Sequence, residues 1–170
     1  MRDTIGERPS KKSSGDEWLT PPELLQALGQ FDLDPACPDT HMPWRTATRM
    51  VKKHQDGLSI PWSGRVWLNP PYSNVLPWIE KMTDHGEGMM LIYARSTDAK
   101  WGQMALKRCS MAYFLAGRIL FYYPDGTLSD GKWCSNMLLA FGSMDAQILR
   151  RFARNGQYPG VLLERVKGSA

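Results

Sequence analysis

The residues from Met89 to Ala94 form one continuous apolar run of strand length, and this run constrains the fold more than any other feature. A strand that is apolar on both faces is typical of the centre of a parallel sheet, where helices cover both sides. Further strand-like segments, at Val66 to Leu68 and at Asn136 to Phe141, alternate with segments of helical character. The alternation predicts an α/β fold with a mostly parallel sheet and flanking helices.

The later part of the chain predicts an antiparallel edge to this sheet, because several strand-like segments follow one another there. Strands are expected at Phe31 to Asp34, Met111 to Leu115 and, beyond Gly117, at Arg118 to Tyr122. Helices are expected from a Thr20 N-cap through Leu28, at Leu76 to Thr83, at Asp98 to Arg108 and at Asp145 to Arg154. The stretch from Pro38 to Gln55 has no clear period.

Composition indicates one domain of modest size. The chain has 170 residues, of which 42% are hydrophobic, and this is enough for a sizeable core. We expect a flexible polar arm over residues 1–15 and a single domain over residues 16–170. No run of membrane-spanning length and no signal peptide pattern is present, which favours a cytoplasmic protein. The net charge of +4 suits a polyanionic partner.

The cysteines give no sign of a metal centre or a disulfide framework. Cys37, Cys109 and Cys134 are odd in number and widely spaced, without the paired spacing of metal ligands. We therefore expect no bound metal, and a reducing compartment.

The loop Asn69-Pro70-Pro71-Tyr72 directly follows an apolar strand. The prolines lack an N–H and fix the backbone, so the loop presents carbonyl acceptors on a stiff frame. Asn69 precedes a proline and is held extended, which projects its side chain from the strand end. Two oxygen acceptors and the Tyr72 ring would receive a flat heterocycle that carries an NH2 group. The alternative is a proline-rich turn after a core strand.

Such a receptor would activate the amino group of adenine, whose lone pair is delocalised into the ring. Two acceptors on its hydrogens favour a more tetrahedral nitrogen that can attack a methyl group. Orientation of the two reactants would contribute roughly 7–11 kcal/mol to the acceleration.

Two acidic positions upstream are candidate cofactor ligands. Asp34-Pro35-Ala36 joins a carboxylate to small residues after a strand, and Asp56 precedes Gly57. A nucleotide-like cofactor needs a close approach to the backbone and a carboxylate for its polar groups. The alternatives are an Asp-Pro turn at Asp34 and a β-turn at Asp56.

The order of these segments resembles that of the phage-encoded DNA N-6-adenine methyltransferase family. Asp16-Glu17-Trp18-Leu19-Thr20-Pro21 is similar to the motif with which the family begins, and the loop ending at Ser73 is similar to its Asn-Pro-Pro-Tyr-Ser loop. An ordered set of this kind is more specific than any one motif. Further similarities are Phe31-Asp32-Leu33-Asp34, Ala94-Arg95-Ser96-Thr97-Asp98 with Trp101, Gly117 to Phe121, and Ser135-Asn136-Met137.

The resemblance implies a compact Rossmann-like methyltransferase that uses S-adenosylmethionine and acts on a flipped-out adenine of double-stranded DNA. It implies catalytic roles for Asn69, Pro70, Pro71 and Tyr72. It implies cofactor contacts for Trp18, Thr20, Pro21, Asp34, Pro35, Ala36 and Asp56, and DNA contacts for Ser73, Arg95 and Arg118. The Gly-x-Gly loop common in methyltransferases of this fold is absent here.

Two alternatives remain open. The first is an amino-methyltransferase on another acceptor, such as cytosine N4, RNA or a protein glutamine, because the loop reads only a planar NH2 group. The second is a DNA-binding module without activity, as the missing glycines suggest. The chain is short for a separate target-recognition domain, so we expect short or relaxed sequence specificity. The oligomeric state does not follow from the sequence.

Overall fold

Seven strands form one mixed sheet in the computed structural model, which describes residues 17–39, 41–129 and 135–164. The strand order is β2-β1-β3-β4-β6-β5-β7. The strands are β1 (Leu33–Cys37), β2 (Arg49–Lys52), β3 (Val66–Leu68), β4 (Gly88–Tyr93), β5 (Met111–Leu115), β6 (Asn136–Phe141) and β7 (Gly160–Glu164). The α-helices in these ranges are α1 (Pro22–Leu28), α2 (Leu76–His85), α3 (Lys100–Arg108) and α4 (Gly142–Asn155).

The sheet has a parallel half and an antiparallel half. The strands β2, β1, β3 and β4 are parallel neighbours, whereas β6 is antiparallel to both β4 and β5, and β7 is antiparallel to β5. The predicted α/β class is confirmed. The prediction of a mostly parallel sheet is wrong, because three of the six strand pairings are antiparallel and the antiparallel part is half of the sheet rather than an edge.

Helices cover both faces of the sheet because successive strand residues point to opposite sides. On one face, α1 and α4 pack through Leu28 and Leu149 against residues such as Leu91. On the other, Ile79 of α2 and Ala105 of α3 pack against the opposite side chains of the same strands. β4 is buried on both faces, as its unbroken apolar run predicts.

Several predicted elements are displaced. β1 starts two positions later than expected, so Asp34, Pro35 and Ala36 lie inside the strand rather than in a turn after it. The N-cap of α1 is Pro21 and no side chain caps the helix, so the capping role expected for Thr20 is wrong. The predicted start of α3 at Asp98 is also wrong, since Ala94–Thr97 forms a separate 3-10 helix and α3 begins at Lys100.

The predicted strand from Arg118 to Tyr122 is wrong. Only Tyr122 pairs, through isolated bridges to Leu19 and Leu128. Both sides of the neighbouring β5 are already occupied, by β6 and β7, so this segment has no place in the sheet.

Two strands were not predicted, β2 and β7, and both lie at the ends of the described sheet. β7 exposes most of its side chains, including Val161 and Leu163, so its sequence carries no half-buried alternation. Its pairing with β5 holds it instead, and this pairing is not visible in the local sequence.

A buried ion pair joins three elements at the amino edge of the parallel strands. The Arg65 Nε donates to Asp145 at 2.7 Å, and its other nitrogens donate to the carbonyls of Leu28 and Gln30. The guanidinium also lies 4.0 Å from the centre of the Phe31 ring. Arg65 and Asp145 are 6% and 0% exposed, so the ion pair is shielded from water. It connects α1, the residue before β3, and α4.

Within the described residues, Cys37 and Cys109 are buried thiols that form no disulfide. Burial, followed by the negative charge of Asp34, raises the pKa of the Cys37 thiol to about 12, so it stays protonated. In those ranges no cluster of His, Cys, Asp and Glu has the geometry to hold a metal ion. No helix of the described part is long and apolar enough to cross a membrane. The predicted arm over residues 1–15 and Cys134 lie outside it.

Candidate active site

The Asn69-Pro70-Pro71-Tyr72 loop lies at the carboxyl edge of the parallel half of the sheet. Leu33 of β1 is level with Val66 of β3, and Leu68 of β3 is level with Met90 of β4. The three strands are adjacent and parallel, so their carboxyl ends meet at one edge. Open α/β sheets bind their ligands outside this edge.

The Asn69 amide contacts the segment that precedes α1. Its Nδ2 donates to the Trp18 carbonyl at 3.4 Å and to the Thr20 Oγ1 at 3.5 Å. Thr20 is buried, whereas Asn69 is half-buried. The structure therefore brings together three residues that the sequence places in two separate motifs.

The Tyr72 ring packs on Tyr93, the last residue of β4. The ring centroids are 3.8 Å apart and the planes are inclined by 11°, and the Tyr93 N–H donates to the Tyr72 hydroxyl at 2.9 Å. Pro70 is buried, and Tyr72 begins a short 3-10 helix over Tyr72–Asn74. One face of the Tyr72 ring is thus covered by Tyr93, and the Trp101 ring lies 6.1 Å away at an inclination of 58°.

The Asp34 carboxylate is held inside the protein. One oxygen accepts the Ala36 N–H at 3.0 Å, and the other accepts the hydroxyl of Thr46, with Asp34 only 5% exposed. Burial raises the pKa of Asp34 to about 6, although both hydrogen bonds act in the opposite direction. The Ala36 contact fixes the backbone of the Asp34-Pro35-Ala36 segment.

The loop that contains Asp56 packs directly on this segment. A Cβ placed on Gly57 would lie 1.9 Å from the Pro35 carbonyl oxygen, so only glycine allows the two backbones to approach. Asp56 itself is exposed, has a positive φ of 49° and accepts the Leu58 N–H at 3.2 Å. The Asp34-Pro35-Ala36 segment and the loop that contains Asp56 are therefore adjacent in the fold.

An aromatic cluster fixes the segment before α1. Leu19 and Tyr122 exchange two backbone hydrogen bonds of 2.9 and 3.0 Å. The Trp44 indole donates to the Thr20 carbonyl at 2.9 Å and contacts the Tyr122 ring edge-on. Trp18 contacts the ring of Tyr123, with centroids 5.3 Å apart.

The expected DNA-contacting side chains are exposed. Arg95 lies in the 3-10 helix after β4, with its guanidinium 5.4 Å from the centre of the Tyr93 ring. Ser73 follows Tyr72 directly, and Arg118 lies in the irregular segment after β5. Arg95 is therefore beside the Tyr72–Tyr93 stack.

Sequence reasoning missed Thr46, Tyr93 and Trp44. Thr46 and Trp44 fall in the stretch without a clear period, and nothing local indicates that they contact Asp34 and Thr20. Tyr93 was counted with the apolar strand, although a tyrosine at a strand end beside an arginine could have indicated a surface role.

Comparison with known proteins identifies the family. The family model for DNA N-6-adenine-methyltransferase (Dam) matches residues 8–149, which include every candidate site residue. The chain belongs to this family. A DNA N-6-adenine-methyltransferase of Haemophilus phage HP1 (strain HP1c1) is 29% identical over 144 residues, covering 78% of this chain and 82% of the phage protein. No solved structure gives a significant match.

The family match confirms the resemblance drawn from the ordered motifs, and with it the prediction of a DNA N6-adenine methyltransferase. The roles of individual side chains stay predictions. The geometry agrees with them to the extent that Asn69 and Tyr72 lie at the carboxyl edge and that the Asp34 and Asp56 segments touch each other.

Proposed function

We propose that this protein transfers a methyl group from S-adenosylmethionine to the N6 atom of adenine in double-stranded DNA. The observation that carries the proposal is the position of the Asn69-Pro70-Pro71-Tyr72 loop at the carboxyl edge of β3, in a chain of the DNA N-6-adenine-methyltransferase family. The target adenine would leave the base stack, because its amino group cannot be reached inside the duplex.

In the proposed mechanism the chain binds the amino group and orients it. Asn69 Oδ1 and the Pro70 carbonyl accept the two amino hydrogens, which leaves the nitrogen lone pair available to form the new N–C bond. The proton then leaves to solvent, so no side chain has to act as a general base. Tyr72, supported by Tyr93 on one face, offers its other face to the base.

The Asp34-Pro35-Ala36 segment and Asp56 fit a nucleotide-like cofactor. The close approach of Gly57 to Pro35 holds the two segments together, and the exposed Asp56 carboxylate is able to accept hydrogen bonds from hydroxyl or amino groups. Asp34 would act by fixing the segment through Ala36. Trp18 and Pro21 would contact the cofactor from the segment before α1. When bound, S-adenosylmethionine would supply the electrophilic methyl group, whose bond to sulfur breaks as the N–C bond forms, with the thioether S-adenosylhomocysteine as the leaving group.

We further infer that the fold is a compact Rossmann-like one and that the protein acts in the cytoplasm of a bacterial host. The parallel half of the sheet, with helices on both faces and the candidate site at its carboxyl edge, supports the fold assignment. Ser73, Arg95 and Arg118 would contact DNA, and contacts to phosphates would make the affinity fall steeply with salt.

The test is nucleoside mass spectrometry of unmethylated duplex DNA incubated with the protein and S-adenosylmethionine. We expect N6-methyladenine with the wild-type chain, a small residual amount with Asn69→Ala, and wild-type levels with Asn155→Ala, an exposed asparagine at the end of α4. If N4-methylcytosine were the product instead, the methyl acceptor would be cytosine N4 rather than adenine N6. Cofactor binding without any DNA product would move the substrate to RNA or protein, and absence of cofactor binding would leave a DNA-binding module.

The Tyr72 ring has its own test. Tyr72→Ala should weaken binding of DNA with a flipped adenine by about 1–3 kcal/mol, the usual value of one base–aromatic stack. Tyr72→Phe is the matched control, since it keeps the ring and removes only the hydroxyl that Tyr93 contacts. An unchanged affinity in Tyr72→Ala would mean that the ring serves only to support Tyr93.

A further inference from the structure

The amide of Asn69 can work in only one of its two orientations. If Oδ1 faces the substrate, it accepts an amino hydrogen. If the amide is rotated by half a turn, Nδ2 faces the substrate and presents hydrogens to hydrogens. Something in the protein must therefore select between two orientations that have almost the same shape.

The segment before α1 supplies this selection. The Nδ2 of Asn69 faces two oxygen acceptors, the Trp18 carbonyl at 3.4 Å and the Thr20 Oγ1 at 3.5 Å. A carbonyl oxygen can only accept, so the rotated amide would bring Oδ1 against the Trp18 oxygen and lose that hydrogen bond. The Thr20 hydroxyl can accept from Nδ2 or donate to Oδ1, so it holds the amide in place while the Trp18 carbonyl selects its orientation. With both Nδ2 hydrogens directed to this segment, Oδ1 points away from it.

The acceptors are themselves held in place. Leu19, between them, is 1% exposed and exchanges two backbone hydrogen bonds with Tyr122. The Thr20 carbonyl accepts the Trp44 indole N–H, and Pro21 is the N-cap of α1. The Thr20 hydroxyl is free of the helix-capping role that its position suggests, because no side chain caps α1.

We propose that Thr20 and the Trp18 carbonyl are positioning groups that hold the Asn69 amide with Oδ1 directed at the adenine amino group. This inference rests on the proposed function. It assigns Thr20 a role toward the target base, distinct from the cofactor contact that the family resemblance implies for the same residue.

The test compares Thr20→Val, which keeps the shape of the side chain and removes its acceptor, with Thr20→Ser, which keeps the hydroxyl. We expect kcat for adenine methylation to fall about tenfold in Thr20→Val, as for loss of one hydrogen bond, and to recover in Thr20→Ser. The KM for DNA and the Kd for S-adenosylmethionine should stay within about twofold of wild type, because the inference leaves substrate and cofactor binding intact.

A double-mutant cycle makes the assignment specific. In an Asn69→Ala background Thr20→Val should have no further effect on kcat, since the amide that it orients is gone. Equal effects in both backgrounds would overturn the inference. So would a Thr20→Val enzyme that has normal kcat but binds S-adenosylmethionine weakly, which would make Thr20 a cofactor contact.

A second readout does not depend on activity. The Asn69 side-chain NH2 gives a pair of signals in a ¹H–¹⁵N spectrum, identified by their absence in Asn69→Ala. Thr20→Val should shift this pair and Thr20→Ser should not. If wild-type protein methylates no adenine, the proposed function fails while this result still stands; if the Asn69 pair is unmoved by Thr20→Val, the positioning role fails whatever the activity.

Discussion

Asp34 makes the folded protein less stable as the pH rises, and Asp34→Asn should remove this dependence. The carboxyl is 5% exposed, and burial raises its pKa from 3.8 to about 6. A pKa difference of one corresponds to about 1.36 kcal/mol. Ionising Asp34 therefore costs about 3 kcal/mol more in the folded protein than in the unfolded chain.

The direction follows from where the proton is held. Between pH 3.8 and about 6 the folded state keeps a proton that the unfolded state has lost, so the free energy of unfolding falls as the pH rises through this window. Below the window Asp34 is neutral in both states, and above it the carboxyl is ionised in both. Asparagine keeps the size of the side chain and stays neutral throughout, with an oxygen for the Ala36 N–H and an amide for the Thr46 hydroxyl.

The assay is urea unfolding of wild type and Asp34→Asn without cofactor, followed by tryptophan fluorescence across the window. The variant should gain up to about 3 kcal/mol on wild type between the acid and the neutral end. Asp39→Asn is the control with the opposite sign, since hydrogen bonds from His54 lower the pKa of the exposed Asp39 and its stabilisation is lost as the pH falls. A stability difference for Asp34→Asn that does not change with pH, or that falls as pH rises, would refute the reasoning.

Two further predictions concern the frame of the site. Arg65→Ala should lower the free energy of unfolding by about 3–5 kcal/mol in urea titrations, because it leaves Asp145 buried without its partner; a loss below 1 kcal/mol, roughly the value of a surface pair, would mean that water reaches the site. Gly57→Ala should weaken S-adenosylmethionine binding in calorimetry, because the added Cβ would meet the Pro35 oxygen at 1.9 Å and separate the two segments. An unchanged affinity of Gly57→Ala for S-adenosylmethionine would mean that the Asp34 and Asp56 segments do not form the cofactor site.

The sequence predicted the interior of the fold better than its edges. β4 and β6 were predicted because they are apolar on both faces, and the helix predicted at Leu76 to Thr83 is observed as α2. β2 and β7 have sparse burial and depend on pairing with β1 and β5. Pairing between distant segments leaves no periodic signal in either one.

In the candidate site, the loop itself was predicted from the sequence, but its contact partners were not. Local chemistry indicated the Asn69-Pro70-Pro71-Tyr72 loop, since prolines after a strand stiffen the backbone wherever the chain goes. The partners of these residues could not be found in this way. Thr20 lies 49 residues from Asn69, and Thr46 lies 12 residues from Asp34 in a segment without a period.

The sequence alone therefore determined the α/β class and the central strands, and it predicted an amino-group receptor at the Asn69 loop, because each depends on the properties of neighbouring residues. The tertiary structure decided that Thr20 contacts Asn69 rather than capping a helix, that Tyr93 supports Tyr72, and that Asp34 is buried against Thr46. These outcomes depend on which strands become neighbours in the sheet. That choice is made by burial and pairing over the whole chain, and no single segment encodes it.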